Sequence, residues 1–425
     1  MGITVLFLSF LILLLLGMPV AFALGISSVL SVILTGVVPV SYLTQTMFGA
    51  VDSYSLLAVP LFVLSGVIME YGGLSKRLID TAKAFVGHIT GGLPAVTIMG
   101  TAVFAMLSGS GPATVAAIGG IMIPAMIREG YGRGFSAGVV ATAGGVGIVI
   151  PPSIPLIIYG ITTNTSIGDL FLAGLIPGII IVFSLYLVSR YISKKNGYGA
   201  NIAKSSWNER WKTMWRAKWT LLMPVVVLGG IYGGIFTPTE ASGIAVAYSL
   251  LLALCYRETE VNQIPVMLRA TYLISGMILV IIATASTYAR ILTLERIPSL
   301  IADFLGQLPV PFWLILALIV LLLLFIGMFM ETIAGIILLA PILVPVVTTM
   351  GMDPVHFGIV MILASMIGFA TPPVGDNLNV ASAISGLSIE RVSIAAIPFV
   401  AVLIFILFII AYVPQITMLL PNLVG

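Results

Sequence analysis

Apolar segments alternate with short polar breaks along almost the whole chain. They lie at about 1–16, 18–37, 54–70, 92–107, 113–127, 135–163, 168–192, 219–236, 240–256, 272–289, 312–328, 332–349, 355–385 and 388–420. A helix needs about 20 mainly apolar residues to cross a bilayer. Runs of this length with such short connections predict an all-α polytopic membrane protein.

Two pairs of apolar runs are separated by very tight turns. The first pair covers 92–127 and turns at Ser108–Pro112, and the second covers 312–349 and turns at Met328–Glu331. Such turns are too short to carry the chain away from the membrane. They predict two re-entrant helical hairpins, each of which enters and leaves on one side.

The sequence also resembles itself at an offset of 221 residues. Pro151–Pro152 matches Pro372–Pro373, and Gly147 matches Gly368, without a gap. Each Pro–Pro pair follows a glycine-containing stretch that cannot stay helical throughout, because proline lacks the N–H group and glycine lets the chain turn. We therefore predict two repeats, each with a hairpin and a broken helix.

The distribution of charge predicts the sidedness of the chain. If the N-terminus lies outside and both hairpins are re-entrant, only Arg290 and Arg296 of the 18 Lys and Arg residues fall outside. This agrees with the excess of basic residues in inner loops of membrane proteins. Both termini are then outside, and the two repeats are inverted relative to each other.

The longest polar stretch, 193–218, contains a regular aromatic pattern. Tryptophan recurs at every fourth position from Trp207 to Trp219, interleaved with arginine and lysine. On a helix this spacing gives an aromatic stripe flanked by cations, which suits the lipid headgroup layer. We predict an interfacial helix, with a solvated linker or a docking site for a partner helix as alternatives.

Composition excludes several other classes of protein. Hydrophobic residues make up 60% of the chain and charged residues 8%, whereas about 25% of a soluble protein is charged. Apart from the stretch 193–218, the net charge of +3 comes without a basic patch, so no nucleic-acid partner is expected. Cys255 is the single cysteine, which excludes a disulfide framework. Residues 1–36 contain no Lys or Arg, so we expect two retained helices there and no signal peptide.

Unwound backbone persists inside a membrane only where it lines a cavity or binds a ligand, and broken helices of inverted repeats meet near the midplane. We expect Ser110 and Glu331, paired by the repeat offset, to converge there with Ser153. Serine hydroxyls and free N–H groups would bind a substrate carboxylate, whereas Glu331 would accept hydrogen bonds from hydroxyl or amide groups. Capping of the hairpin tip is the alternative role of Glu331. Glu240 follows Pro238 and can cap a helix start, which favours a structural role.

Four motifs in order resemble one family. The tip Leu107–Thr114 is similar to the first hairpin of the large membrane subunit of TRAP (tripartite ATP-independent periplasmic) transporters, and so are Pro151–Ser153, Thr237–Ala241 and Thr371–Gly375. The resemblance covers essentially the whole chain, and members that carry sialic acid share the pattern best. Asp376 stands where an uncharged residue is expected, so it joins the substrate-site candidates with its role open.

The resemblance implies a sodium symporter of the bacterial inner membrane, multi-pass with periplasmic termini, that moves a transport domain against a scaffold in an elevator mechanism. It implies two partners, a small four-helix membrane subunit and a periplasmic protein that delivers a small carboxylate. Because the chain opens directly with the large subunit, a separate small subunit is expected. Sialic acid is the favoured substrate and a C4-dicarboxylate the alternative. A channel or a stand-alone carrier is the competing class, and an enzyme is not expected because no nucleophile triad or hydrolase metal motif occurs.

At least two sodium ions are expected, since sodium prefers oxygen ligands and the broken helices free backbone carbonyls. The Ser108 turn would face Gly145, Ile148 and Pro151 around one ion. Around the second ion, Gly327 would face Gly368, Thr371 and Val374, with the Thr371 hydroxyl as an additional ligand.

The predicted organisation has four parts. Residues 1–70 form N-terminal scaffold helices, and 71–190 form the first repeat with its hairpin and broken helix. Residues 191–290 contain the interfacial helix and central scaffold helices. The second repeat, with its hairpin, broken helix and C-terminal helix, occupies 291–425.

Overall fold

The structure is a computed structural model that describes residues 2–198, 205–256, 261–307 and 309–424. Within these ranges every regular element is helical, which confirms the all-α prediction. The α-helices are α1 (Gly2–Leu15), α2 (Val20–Thr35), α3 (Val40–Val51), α4 (Ala58–Tyr71), α5 (Leu74–Val86), α6 (Gly92–Ser108), α7 (Gly111–Arg128), α8 (Arg133–Gly144), α9 (Ile154–Thr163), α10 (Ile167–Lys195), α11 (Trp207–Tyr232), α12 (Pro238–Tyr256), α13 (Ile264–Leu294), α14 (Ile297–Gln307), α15 (Phe312–Gly327), α16 (Thr332–Thr349), α17 (Pro354–Phe369), α18 (Asp376–Ser385), α19 (Ile389–Tyr412) and α20 (Gln415–Val424). Short 3₁₀ turns occur at Tyr54–Leu57, Gly145–Ile148 and Val261–Gln263.

Among the described residues, 7 helices are long and apolar enough to cross a membrane. They are α4 with the turn before it, α7, α10, α12, α13, α16 and α19. Large apolar side chains lie on the outer surface, among them Leu15, Phe183 and Phe405. A water-exposed surface would not carry so much apolar area, so the chain is a multi-pass membrane protein.

The two predicted hairpins are present as two pairs of helices. The first turns at Gly109, whose φ of 61° is in the left-handed region that glycine adopts easily. Ser110 then caps α7, its Oγ accepting a hydrogen bond from the Ala113 N–H at 3.5 Å. At the second tip, Glu331 caps α16 by accepting from the Ala334 N–H at 3.2 Å. The helical pairs are confirmed, and their re-entry into the membrane stays a prediction.

The helix boundaries follow the sequence repeat. The second helix of each hairpin has 18 residues, and α7 starts at Gly111 while α16 starts at Thr332, a separation equal to the repeat offset of 221. The elements before and after them correspond in the order α6 and α15, α8 and α17, α9 and α18, α10 and α19. The inverted orientation of the two halves in the membrane stays a prediction.

Both predicted broken helices are confirmed. The first break covers 145–153, between α8 and α9, and the second covers 370–375, between α17 and α18. Each contains one cis Pro–Pro bond, at Pro151–Pro152 and Pro372–Pro373. Neither proline can donate a backbone hydrogen bond, so the helices stop before the pair.

The helices that lead into the breaks form the centre of the molecule. All residues from Val355 to Phe369 in α17 are buried, and so are Ser136–Gly144 in α8. These helices pack against α7, α10, α15 and α19. A second group of helices lies beside them. In it, α2, α3 and α4 pack against α13, and α12 packs against α4. The first break is therefore enclosed by protein, whereas Pro372, Pro373 and Val374 of the second break are exposed.

The tryptophan-rich stretch predicted as an interfacial helix forms the first part of α11, and its location in the headgroup layer stays a prediction. Trp207, Trp211, Trp215 and Trp219 are all exposed, with 49% to 77% of each side chain accessible. The helix continues without a break into the apolar run that follows. Within the predicted polar stretch 193–218, α10 extends to Lys195 and α11 begins at Trp207, and residues 199–204 lie outside the described ranges.

Candidate functional site

A cavity of about 300 Å³ lies where the two hairpin tips and the two breaks meet. We call it the tip cavity. It is lined by Gly109–Ala113 and Glu331–Ile333 from the tips, by Ile148, Ile154, Pro155, Phe369 and Asp376 from the breaks and their borders, and by Val63, Gly66, Val67, Glu70, Ile274, Met277 and Ile278 from α4 and α13. Three of the four predicted substrate residues, Ser110, Glu331 and Asp376, therefore meet in one cavity.

The two tip residues hold the same position in their hairpins. Ser110 and Glu331 each precede a helix and each accept a bond from its third backbone N–H. A helix start carries unpaired N–H groups and the positive end of the helix dipole, which together favour an anion. Glu331 already occupies the donors at the start of α16. The start of α7, which a neutral serine caps, is therefore the one suited to an acidic group of a substrate.

The acidic side chains of the cavity include one that sequence reasoning missed. Glu70, at the end of α4, lines the cavity together with Glu331 and Asp376. None of the lining residues is a lysine, arginine or histidine. The sequence did indicate Glu70 in one respect, because a carboxylate in an apolar run is costly in a membrane. Its position beside the hairpin tips, however, depends on the tertiary packing of α4. The cavity is hence lined mainly by apolar residues, together with three carboxylates and the first residues of α7 and α16.

Ser153 is placed differently from the other three substrate candidates. Its side chain is 1% exposed, and it does not line the tip cavity. Its Oγ donates to the Ile148 carbonyl at 2.6 Å and accepts from the Leu156 N–H at 3.5 Å. The hydroxyl closes the first break and caps α9. A direct contact of Ser153 with substrate stays a prediction, without support from this placement.

The residues predicted to bind the first sodium ion lie at or beside the first break. Gly145, Ile148 and Pro151 all lie in it and are buried. The break packs against the end of α6, because a Cβ atom added to Gly147 would lie 1.8 Å from Ala105 Cβ. Ser108 ends that helix, although its side chain lies outside what the structure describes. The end of α6 therefore packs against the break, and the binding of a sodium ion by the Ser108 turn stays a prediction.

The residues predicted to bind the second sodium ion include a similarly close backbone contact, between Gly327 and Gly368. A Cβ atom added to Gly368 would lie 2.3 Å from the Gly327 carbonyl, so the two backbones touch. Thr371 Oγ1 donates to the Ile367 carbonyl at 2.7 Å, which leaves its oxygen lone pairs free to bind a cation. The Val374 carbonyl accepts from Asn379 Nδ2 at 2.9 Å and retains a second lone pair. These oxygen donors fit the ligand preference of a hard cation.

Asn377 is a second residue that the sequence did not single out. It is fully buried, and its Nδ2 donates to the Ala141 carbonyl at 3.0 Å. The bond joins the start of α18 to α8, across the two repeats. Its Oδ1 has no hydrogen-bond partner among the described residues and lies 3.0 Å from where a Cβ on Gly111 would be.

Glu240 has the structural role that its position indicated. Its Oε2 accepts from the Thr237 N–H at 2.8 Å and from Thr237 Oγ1 at 2.9 Å. The Glu240 N–H donates back to Thr237 Oγ1 at 3.3 Å. This reciprocal arrangement is a capping box at the start of α12.

Comparison with known proteins places the chain among transport proteins. Its fold is similar to that of the YdaH transporter of Alcanivorax borkumensis, with a TM-score of 0.65 at 14% identity over 89% of this chain and 90% of that one. It is 42% identical over 415 residues to the isethionate TRAP transporter permease protein DctMQ of Oleidesulfovibrio alaskensis, covering 97% of this chain and 65% of that protein.

Two further relatives match along nearly their whole length. The C4-dicarboxylate TRAP transporter large permease protein DctM of Pseudomonas aeruginosa is 42% identical, over 95% of this chain and 94% of that protein. The sialic acid TRAP transporter large permease protein SiaM of Vibrio cholerae is 39% identical, over 96% and 95%. A profile of the tripartite ATP-independent periplasmic transporter DctM component matches residues 7–416. The chain therefore belongs to the DctM family of TRAP transporter large permeases and is not an enzyme.

Proposed function

We propose that this permease takes up a small organic acid by sodium-coupled secondary transport, with the tip cavity as its substrate site. The observation that carries the proposal is the convergence of Ser110, Glu331 and Asp376 on one cavity between two hairpin tips and two broken helices. Broken helices near the midplane are where secondary transporters bind substrate and ions.

Sodium coupling is supported by the oxygen donors at both breaks. Two or more sodium ions moving with one monoanion carry net positive charge inward, and each net charge is worth ~2.3 kcal/mol per 100 mV. Uptake into proteoliposomes should need an inward sodium gradient and speed up when the interior is negative. Equal uptake with potassium or choline in place of sodium would reject this coupling.

The charge of the cavity distinguishes substrate classes. Relatives are named for isethionate, C4-dicarboxylate and sialic acid. A dicarboxylate would place its second charge near Glu70, Glu331 or Asp376, whereas a polyhydroxylated monoacid can donate hydrogen bonds to them. We therefore favour sialic acid, with a C4-dicarboxylate as the alternative. Competition of labelled N-acetylneuraminate uptake by unlabelled succinate, isethionate and N-acetylneuraminate would decide between them.

The proposed mechanism is an elevator built on inverted repeats. The repeats at 71–190 and 291–425, with their hairpins and breaks, would move against scaffold parts at 1–70 and 191–290. The contribution of α4 and α13 to one wall of the tip cavity supports this division. A reducible bifunctional cross-linker between Val67→Cys and Ala113→Cys, two positions that line the tip cavity, should stop uptake in a Cys255→Ser background and release it on reduction. Unchanged uptake of the cross-linked protein would reject the movement of tip against α4.

Two partners complete the proposed system, a small four-helix membrane subunit and a periplasmic binding protein. We place the chain in the bacterial inner membrane with both termini periplasmic, from its charge distribution. Proteoliposomes that contain this chain alone should show little uptake, and addition of both partners should restore it. Full uptake by the chain alone would favour a stand-alone carrier.

A further inference from the structure

A basic groove lies between α5 and α11, outside the tip cavity. It has a volume of about 450 Å³ and is lined by Gly73, Lys76, Arg77, Asp80, Thr213 and Arg216. Three cationic side chains share it with one carboxylate. Among the described lining residues, positive charge therefore exceeds negative charge, which favours an anion.

The walls of the groove are held in place by neighbouring contacts. Thr81 Oγ1 lies 2.8 Å from the Arg77 carbonyl and 3.3 Å from the Thr213 carbonyl, which joins α5 to α11. The Arg77 guanidinium lies 3.8 Å from the centre of the Tyr256 ring. The Tyr256 hydroxyl in turn donates to the Arg216 carbonyl at 3.4 Å. The cations thus stand on a preformed frame, which lowers the entropy lost when an anion binds.

A buried arginine at the same helix junction adds an independent sign of a missing anion. Arg210 is 7% exposed, and its Nε and Nη2 have no hydrogen-bond partner in the described part of the chain. Its guanidinium lies near the rings of Trp207 and Phe85, at 5.3 Å and 6.0 Å. A buried cation without a counter-charge is costly, so this junction has more positive charge than the described residues neutralise.

The groove lies at the level of the exposed tryptophans. Thr213 and Arg216 fall between Trp211 and Trp219 along α11. Lys218 Nζ lies 3.5 Å from the centre of the Trp215 ring, so cation and aromatic ring sit at one depth. Tryptophans collect at the headgroup layer of a membrane. The anion that reaches this groove most readily is hence a lipid phosphate.

We propose that the α5–α11 groove binds the phosphate of an anionic membrane lipid. Lysine and arginine donors match phosphate oxygens. Such a lipid would join α5, which leads into the first hairpin, to α11, which opens the second half of the chain. This site is separate from the tip cavity and does not depend on the transported substrate.

The test measures lipid binding to the full chain purified in a neutral detergent. Phosphatidylglycerol and phosphatidylcholine are added in turn, and bound lipid is counted by native mass spectrometry. The double variant Lys76→Gln/Arg216→Gln should bind phosphatidylglycerol about 25-fold more weakly, since each cation at an anionic surface is worth about fivefold, or ~1 kcal/mol. Lys194→Gln/Lys195→Gln, which removes two exposed charges at the end of α10, should bind as the unchanged chain does. Monodisperse elution and unchanged helical circular dichroism show that each variant is folded.

Three results would overturn the proposal. The first is equal phosphatidylglycerol binding by the groove variant and the unchanged chain. The second is equally strong competition by soluble glycerophosphate, which would indicate a site for a free anion. The third is a groove variant that keeps its lipid but no longer copurifies with the small membrane subunit, which would make the groove a protein interface.

Discussion

The two broken helices follow the same path through the chain but differ in their surroundings. In the first break, every residue from 145 to 153 is buried, and Ser153 is 1% exposed. In the second break Pro372, Pro373 and Val374 are exposed, and Val374, the repeat mate of Ser153, reaches 41%. The two breaks thus share a cis Pro–Pro bond but differ in how much of their surface the protein buries. This difference in cover is compatible with the elevator movement proposed above.

The chemistry at the end of each break differs as well. Ser153 caps α9 through its side chain. Its counterpart α18 begins after Gly375, whose φ is 48° and which offers no side-chain cap. Asp376, the first residue of α18, is consequently free to face the tip cavity. One break closes itself with a hydroxyl, and the other presents a carboxylate to the cavity.

The largest effect on stability is expected from adding a methyl group at Gly147, where the buried first break touches α6 most closely. In Gly147→Ala, the new Cβ would lie 1.8 Å from Ala105 Cβ and 2.6 Å from its Cα. The hairpin and the break would have to separate, and overpacking of this kind costs about 1–3 kcal/mol or more. We expect a strong loss of folded protein and of melting temperature, measured by fluorescence size-exclusion chromatography after heating.

A matched control for this change exists in α7. Gly120 is exposed, and a Cβ there would have nothing within 4 Å. Gly120→Ala should keep or raise the melting temperature, because alanine favours a helix over glycine by about 1 kcal/mol. If Gly147→Ala is as stable as Gly120→Ala, the first break is not packed as tightly as the contact of Gly147 with Ala105 indicates.

The second largest effect is expected at the charged hairpin tip. Glu331→Gln keeps the shape of the cap but removes one of the three carboxylates of the tip cavity. Loss of a hydrogen bond to a charged group costs ~1.5–3 kcal/mol, or roughly tenfold to hundredfold in uptake. The readout is sodium-driven uptake by the complete reconstituted system, with assembly checked by copurification. Uptake at the unchanged rate and apparent affinity would make Glu331 a tip cap only.

Much of this architecture could be predicted because it depends on local sequence. The helices, the tight hairpin turns and the Pro–Pro breaks follow from apolar run length and from backbone chemistry, and they appear at the expected residues. Glu331 and Ser110 were paired by the repeat offset, and the fold brings both to one cavity. The sequence repeat therefore predicted correctly which two residues hold equivalent positions at the hairpin tips.

The remaining parts depend on contacts between distant segments. Glu70 reaches the cavity only because α4 packs beside α13. His356 is buried because its ring nitrogens lie 2.7 Å from Thr417 Oγ1 and 3.2 Å from the Ala411 carbonyl, contacts that attach α17 to α20 and the end of α19. Ser153 was expected at the cavity because it follows the Pro–Pro pair, but its hydroxyl turns toward its own break. Periodicity and motif spacing contain no signal for such tertiary choices.

A smaller effect should appear in the accessibility of the two breaks. In a Cys255→Ser background, Val374→Cys should react with a membrane-impermeant maleimide severalfold faster than Ile150→Cys, whose position is 7% exposed. Access of reagent to the thiol limits this reaction at a buried site. Equal rates at both positions would contradict the asymmetry of the breaks.

The smallest direct effect on substrate is expected from Ser153→Ala, although the break itself should weaken. The change removes the donor to the Ile148 carbonyl and the cap of α9. A buried polar group left without its partner costs about 1–3 kcal/mol, so the melting temperature should fall. Because Ile148 is a predicted sodium ligand and Ser153 does not line the cavity, the sodium concentration for half-maximal uptake should rise more than that for substrate. Ser153→Thr, which keeps the hydroxyl, should restore sodium affinity if the fold accommodates its methyl group. A selective loss of substrate affinity in Ser153→Ala, with sodium dependence unchanged, would instead make this serine a substrate contact and would mean that the first break opens to the cavity during transport.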